Sequence, residues 1–228
     1  KPQPASPWPE DLDADFRNVE IGIARTSARY EDTPQICEIE QLFIEQIRRA
    51  RHFIYAETQY FASRAIAEVI CERLCEPDPP EFVIVNPLTA DGWLEQIAMD
   101  SARVELVETL QEADRQGRFH IYHPVASDGT PIYVHAKLMI VDDEILRVGS
   151  ANMNNRSMGL DSECDVFIDA ARPANGHVVP TIGRLRLRLL AEHCGAEQEE
   201  VEAGIETHGS MAAMIDSLSM SGKRLERL

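Results

Sequence analysis

The chain has 228 residues, 44% of them hydrophobic, enough to bury one large core or two small ones, so a globular α/β chain is the starting expectation. Its formal net charge of −17 opposes a sequence-independent grip on nucleic acid, which needs Lys and Arg to neutralise phosphates, and disfavours adsorption to an anionic membrane. No apolar run reaches the roughly eighteen residues of a transmembrane span, and the N-terminus has no signal-peptide core.

Residues 1–15, with Pro2, Pro4, Pro7 and Pro9 and no initiator Met, read as a linker and as the cut end of a longer chain. Val19, Ile21 and Ile23 alternate with Glu20, Gly22 and Ala24, the period of a half-buried strand over 19–25. Thr33 as N-cap and Pro34 at the first helical position predict a helix to Arg51, with Ile36, Ile39, Phe43 and Ile47 at helical spacing. A strand over 52–58 follows, then a helix capped by Ser63 and stopped by Pro77, Pro79 and Pro80. Phe82–Val85 reads as a buried strand, 91–115 as an amphipathic helix with Gly117 as its left-handed cap, and 119–125 as a further strand. Tyr133–Val141 and Ile145–Val148 flank an Asp142-Asp143-Glu144 turn and predict a hairpin; Val166–Ile168 adds a strand, and 179–228 is expected to be helical. The five cysteines, Cys37, Cys71, Cys75, Cys164 and Cys194, lack zinc or disulfide spacing and are expected to be reduced and mostly buried.

Alternation of strand and helix up to 125 favours a mixed, largely parallel sheet covered by helices on both faces. The organisation expected is a linker over 1–15, a catalytic half-domain over 16–175 and a helical extension over 176–228 packed on it.

The stretch from His135 to Glu163 carries the chemistry. On a strand, His135 and Lys137 share a face and can converge on one anion; Ser150 and Asn152 stand in the same relation after the next strand. A hairpin would bring the four into one pocket holding a proton carrier and three hydrogen-bond donors. A phosphodiester needs a nucleophile in line with its leaving group, donors for its nonbridging oxygens and a proton for the departing oxygen. Histidine can serve as nucleophile or acid, Lys137 and Asn152 can hold oxygens, and Ser150 can bond to phosphate or to its neighbours. Glu163 is a candidate to orient the imidazole, Arg156 can bind phosphate or support its loop, and Asp142 at the turn favours a structural role. The residue set calls for no metal ligand and no cofactor.

His135, Lys137, Asp142, Gly149, Ser150 and Asn152 match every fixed position of HxKxxxxDxxxxxxGSxN, so the chain resembles the phospholipase D superfamily and its HKD motif. The IYAETQYF segment from Ile54 to Phe61 is similar to the IYIENQYF segment of phospholipid-acting members, with Thr58 in place of the usual Asn and Gln59 as a candidate substrate contact. The resemblance implies an α-β-α sandwich and metal-independent hydrolysis or phosphatidyl transfer on glycerophospholipids through a covalent phosphohistidine. Such enzymes use two motifs, and this chain carries one. The resemblance therefore implies either an upstream half with the second motif or a second copy of the chain, with His135 assigned first as the general acid. A homodimeric nuclease and a noncatalytic lipid-binding domain are the alternatives. Acidic charge makes nucleic acid the less favoured partner. The compartment expected is the cytoplasm, with a peripheral position at the membrane as its variant.

Overall fold

The computed structural model describes residues 9, 11–89, 93–218 and 222–228. In chain order the elements are β1 (Ile21–Ser27), β2 (Ile36–Cys37), α1 (Glu38–Arg49), β3 (Phe53–Thr58), β4 (Phe61–Ala62), α2 (Arg64–Leu74), β5 (Glu81–Val85) and α3 (Trp93–Ala113). There follow β6 (Phe119–Val125), β7 (Lys137–Val141), β8 (Ile145–Gly149), β9 (Met153–Asn154), α4 (Asn155–Gly159), β10 (Glu163–Asp169), α5 (Val179–Cys194), α6 (Gln198–His208), α7 (Met211–Ser217) and β11 (Arg224–Arg227). Nine strands form one mixed sheet in the order β11-β6-β5-β3-β7-β8-β10-β1-β2, and β4 and β9 pair separately. Parallel pairing joins β3, β5 and β6, which are linked by helical crossovers; the other neighbours run antiparallel.

Helices cover both faces, as expected. On one face Ile39, Phe43 and Ile47 of α1, Ile66 and Ile70 of α2 and Leu110 of α3 bury against Ile54, Ile84, Met139 and Val141. On the other, Ile182 and Leu190 of α5, Val201 of α6 and Met214 of α7 cover Tyr55, Val83, Val85 and Ile140. Among the described residues no helix is long and apolar enough to cross a membrane.

The first helix corrects the sequence reading. Thr33 is engaged in a bridge with Tyr30, and Ile36 and Cys37 pair with Ser27 and Thr26, so the helix starts at Glu38. The pairing with the edge of β1 outweighs a propensity signal at Thr33-Pro34. Gly117 has the positive φ expected but lies in the turn into β6, beyond the end of α3. The start of the 91–115 helix lies outside the described residues. His135 also leaves its expected strand, because β7 begins only at Lys137. The tail ends in a strand, β11, which pairs with β6. Of the cysteines only Cys194 is buried; Cys75 and Cys164 are exposed. His123 is buried on β6.

β1 inverts its expected faces. Ala24 and Thr26 are buried, while Ile21 and Ile23 are 54% and 61% exposed. Register places Ile23 opposite Val166, Val166 opposite Val148 and Val148 opposite Leu138, so one apolar row crosses four strands. Val148 and Val166 are each 41% exposed. The helices α5 to α7 cover the neighbouring Ile140, Leu146 and Ile168 but leave this corner of the sheet bare.

The hairpin β7–β8 turns on Asp142 and Asp143, both at positive φ, with the Glu144 amide donating to the Val141 carbonyl. Asp142 then does what its place at a turn suggests. Its carboxylate accepts from the backbone N–H of Arg51 (2.7 Å), His52 (2.9 Å) and Phe53 (2.9 Å), tying the hairpin tip to the entry of β3. Asp143 takes a two-pronged bond at 2.8 Å from the buried Arg186, whose guanidinium lies over the Phe53 ring. Replacing Asp142 by Ala strips three backbone donors of a charged acceptor. We expect a loss of about 3 kcal/mol in urea unfolding, because hydrogen bonds to charged groups are individually strong.

Candidate active site

Register across β3 and β7 sets Lys137 opposite Thr58, which places Gln59 at the mouth of the sheet beside it. The Lys137 Nζ donates to Gln59 Oε1 at 3.0 Å and to the His135 carbonyl at 2.9 Å. Burial holds the Lys137 ammonium below its ordinary range, with the negative charge of Glu163 pulling it back up. His135 lies two residues before the strand with its side chain exposed, and its imidazole bonds to none of the described residues. Gln59, a candidate substrate contact, links Lys137 to the Tyr133 hydroxyl, its Nε2 donating at 2.7 Å. Tyr55 and Phe61 of the same segment are buried in the core.

The other wall follows β8. Asn152 is buried; its Oδ1 accepts from the Gln59 backbone N–H at 3.2 Å, and its Nδ2 donates to no described residue. The loop carrying it is fixed by Asp165 on β10. One oxygen of that carboxylate accepts from the Ser150 N–H (3.0 Å) and the Ala151 N–H (3.1 Å), and the other accepts from the Arg147 guanidinium. Arg147 and Asp165 are both fully buried, and Arg147 stacks over Phe43 at 3.4 Å. Burial pushes the Arg147 guanidinium down to about 10, while Asp165 opposes the shift. Gly149 makes this possible: a Cβ there would lie 1.9 Å from Asp165 Oδ1.

Glu163 corrects an expectation. Its carboxylate accepts from Ser150 Oγ at 2.5 Å and from Ser157 Oγ at 2.7 Å, and it makes no bond to His135. Pairing of β10 with β8 sets Glu163 beside the Ser150 loop. Ser150 is thereby committed too: its proton goes to Glu163 and its oxygen accepts from the Cys164 N–H. Ser157 passes the restraint on, since its Oγ accepts from the Asn152 N–H at 3.2 Å. Glu163 and Ser150 therefore hold the loop that presents Asn152. Arg156 pairs with Asp161 at 2.7 Å, which supports the loop after α4.

Of the site residues expected from sequence, Lys137, Gln59 and Asn152 join one hydrogen-bonded set, and Ser150 and Glu163 brace it from behind. The reading missed Tyr133, Arg147 and Asp165. A signal for Arg147 existed, since it is the lone charge inside the apolar strand β8 and calls for a counter-charge. Thr58, where the resemblance leads one to look for Asn, also has a role: its Oγ1 donates to the Tyr60 carbonyl and accepts from the Met153 N–H, stitching β3 to the Asn152 loop.

Asp165→Ala should cost roughly 3–5 kcal/mol in denaturant unfolding, because it leaves Arg147 buried without a counter-charge and frees two loop amides. Gly149→Ala should show the same loss, through displacement of the same carboxylate; stability unchanged in either variant would remove Asp165 as the anchor of the loop.

Comparison with known proteins fits this geometry. The family model described as phospholipase D matches residues 102–226, more than half of the chain and the whole of the His135 to Glu163 region. Phospholipase D alpha 1 of Arabidopsis thaliana is 40% identical over 228 residues, covering 71% of this chain and 28% of that protein. Phospholipase D delta of the same plant is 26% identical over 259 residues, covering 81% and 30%. The chain thus spans under a third of the length of these relatives. The crystal structure of phosphatidylserine synthase from Haemophilus influenzae Rd KW20 shares the fold, with a TM-score of 0.54 and 15% identity over 76% of this chain and 39% of that one. With the six motif residues inside the matched stretch, the chain belongs to the phospholipase D family.

Proposed function

We propose that this chain supplies one of two histidine half-sites in an enzyme that hydrolyses glycerophospholipids or transfers their phosphatidyl group. The observation that carries the reading is the division of labour around Lys137. Two of its three ammonium hydrogens go to Gln59 Oε1 and the His135 carbonyl, Gln59 is held in turn by Asn152 Oδ1, and among the described residues neither Asn152 Nδ2 nor the His135 imidazole has a partner. Two donors and one proton carrier suit a phosphate diester.

One imidazole cannot both attack phosphorus and protonate the departing oxygen on the other side. In the proposed sequence a histidine from the second half attacks phosphorus, the bond to the headgroup oxygen breaks, and His135 gives its proton to that oxygen. The phosphatidyl group then rests on the attacking imidazole. Water or an alcohol next attacks phosphorus, His135 takes its proton, and the first histidine leaves unmodified. Lys137 and Asn152 hold the nonbridging oxygens throughout. The bare corner of the sheet beside the site, with Ile23, Val148 and Val166 in one row, supports a second unit seated there, since monomers seldom leave such a row open. An upstream half of the same polypeptide is the partner favoured, and the greater length of the relatives supports it. On this reading residues 16–175 form the catalytic half-domain and 176–228 its extension.

His135→Ala in the protein that carries this chain should lower headgroup release from phosphatidylcholine vesicles by about 10³-fold, the range of a lost general acid. Unchanged turnover removes His135 from the mechanism, and cleavage of DNA in preference to vesicles would replace the lipid reading with the nuclease one. Because Lys137 must be protonated to bind the phosphate and burial depresses its titration, binding should fail on the alkaline side at a lower pH than an ordinary lysine would give. Phosphate-analogue affinity measured from neutral to alkaline pH checks the sign.

A further inference from the structure

An ammonium has three N–H donors and cannot accept, so only the carbonyl end of the Gln59 amide can face Lys137. The other end, Nε2, must then find an acceptor. It finds one in the hydroxyl of Tyr133, at 2.7 Å. Tyr133 stands two residues before His135 in the segment between β6 and β7, with 44% of its surface exposed. The backbone N–H of Gln59 is held in turn by Asn152 Oδ1. Donor-only Lys137 and acceptor Tyr133 thus select the same orientation of one amide, and the residue that carries it touches both donors assigned to the phosphate, Lys137 through its side chain and Asn152 through its backbone.

We propose that Tyr133 is a positioning residue of this site: its hydroxyl locks the Gln59 amide, and the locked amide keeps Lys137 with two N–H groups on the protein and one for an anion. The inference rests on the reading of that anion as a phosphodiester. Without the hydroxyl, the Nε2 hydrogens turn to water and the carbonyl spends less time on Lys137. A half-buried ammonium then loses part of its compensation, and the anion must order a freer side chain on binding.

Lys137 is one of three lysines, with Lys1 and Lys223, so its Cε resonance is readily assigned in the chain labelled with ε-¹³C-lysine. In Tyr133→Phe, which keeps the ring, Lys137 should titrate lower by roughly 0.3–1 pH unit. Affinity for orthovanadate, read at the same resonance, should fall about 3–10-fold, the scale of one hydrogen bond. Adding Gln59→Glu should restore the titration, because a carboxylate presents an acceptor whichever way it turns. A merely structural role for Tyr133 would change the melting temperature and leave this resonance unmoved. An unmoved resonance together with unchanged vanadate affinity overturns the proposal. If the titration shifts while vanadate never perturbs Lys137 in the unaltered chain, Tyr133 still positions the lysine and the phosphate reading is what falls.

Discussion

The loop that presents Asn152 hangs on one carboxylate. Asp165 is buried in β10, where a charge survives only with a partner, and Arg147 of β8 supplies it. The same carboxylate receives the amides of Ser150 and Ala151, so the chain leaving β8 is turned by an ion pair lodged in the core rather than by a surface contact. Gly149 is the spatial condition for this, since any side chain there would occupy the place of the Asp165 oxygen. The motif's Gly-Ser thus belongs to the architecture of the loop, and Asn152 is what the loop delivers.

Around that anchor the polar residues sort into those that brace and those left with something to give. Ser150, Ser157 and Glu163 form a closed set in which both carboxylate oxygens are bonded. Asp142 and Asp143 fix the far end of the hairpin, one through three backbone amides and the other through Arg186. Among the described residues, one hydrogen of Lys137, the Nδ2 of Asn152 and the ring of His135 remain uncommitted. Rigid support behind a few open donors is the arrangement that electrostatic catalysis requires, because donors already aimed need no reorganisation when charge develops.

Much of this was legible in the chain because spacing fixes it. The hairpin, the donor set and the structural use of Asp142 follow from a two-residue period and a turn, and the helices α2 and α5 follow from their apolar stripes. What was not legible depends on pairing between distant strands. The orientation role given to Glu163 failed because β10 lies against β8 and brings Ser150 and Ser157 within reach first. The start of α1 moved because Ile36 and Cys37 found β1. Tyr133 gave no sign at all, since an aromatic before a motif histidine looks like strand packing until Gln59, far away in sequence, is seen to meet it.

The bare apolar row has a consequence for the molecule in solution. Ile23, Val166 and Val148 attract one another's counterparts on any neighbouring molecule, and what opposes that approach is the repulsion between bodies of formal charge −17. Added salt screens the repulsion over a Debye length of about 10 Å at 0.1 M and leaves the hydrophobic attraction intact. Charge repulsion between copies of the chain therefore weakens, and their association is favoured, as ionic strength rises or as the pH approaches the isoelectric point near 4.8.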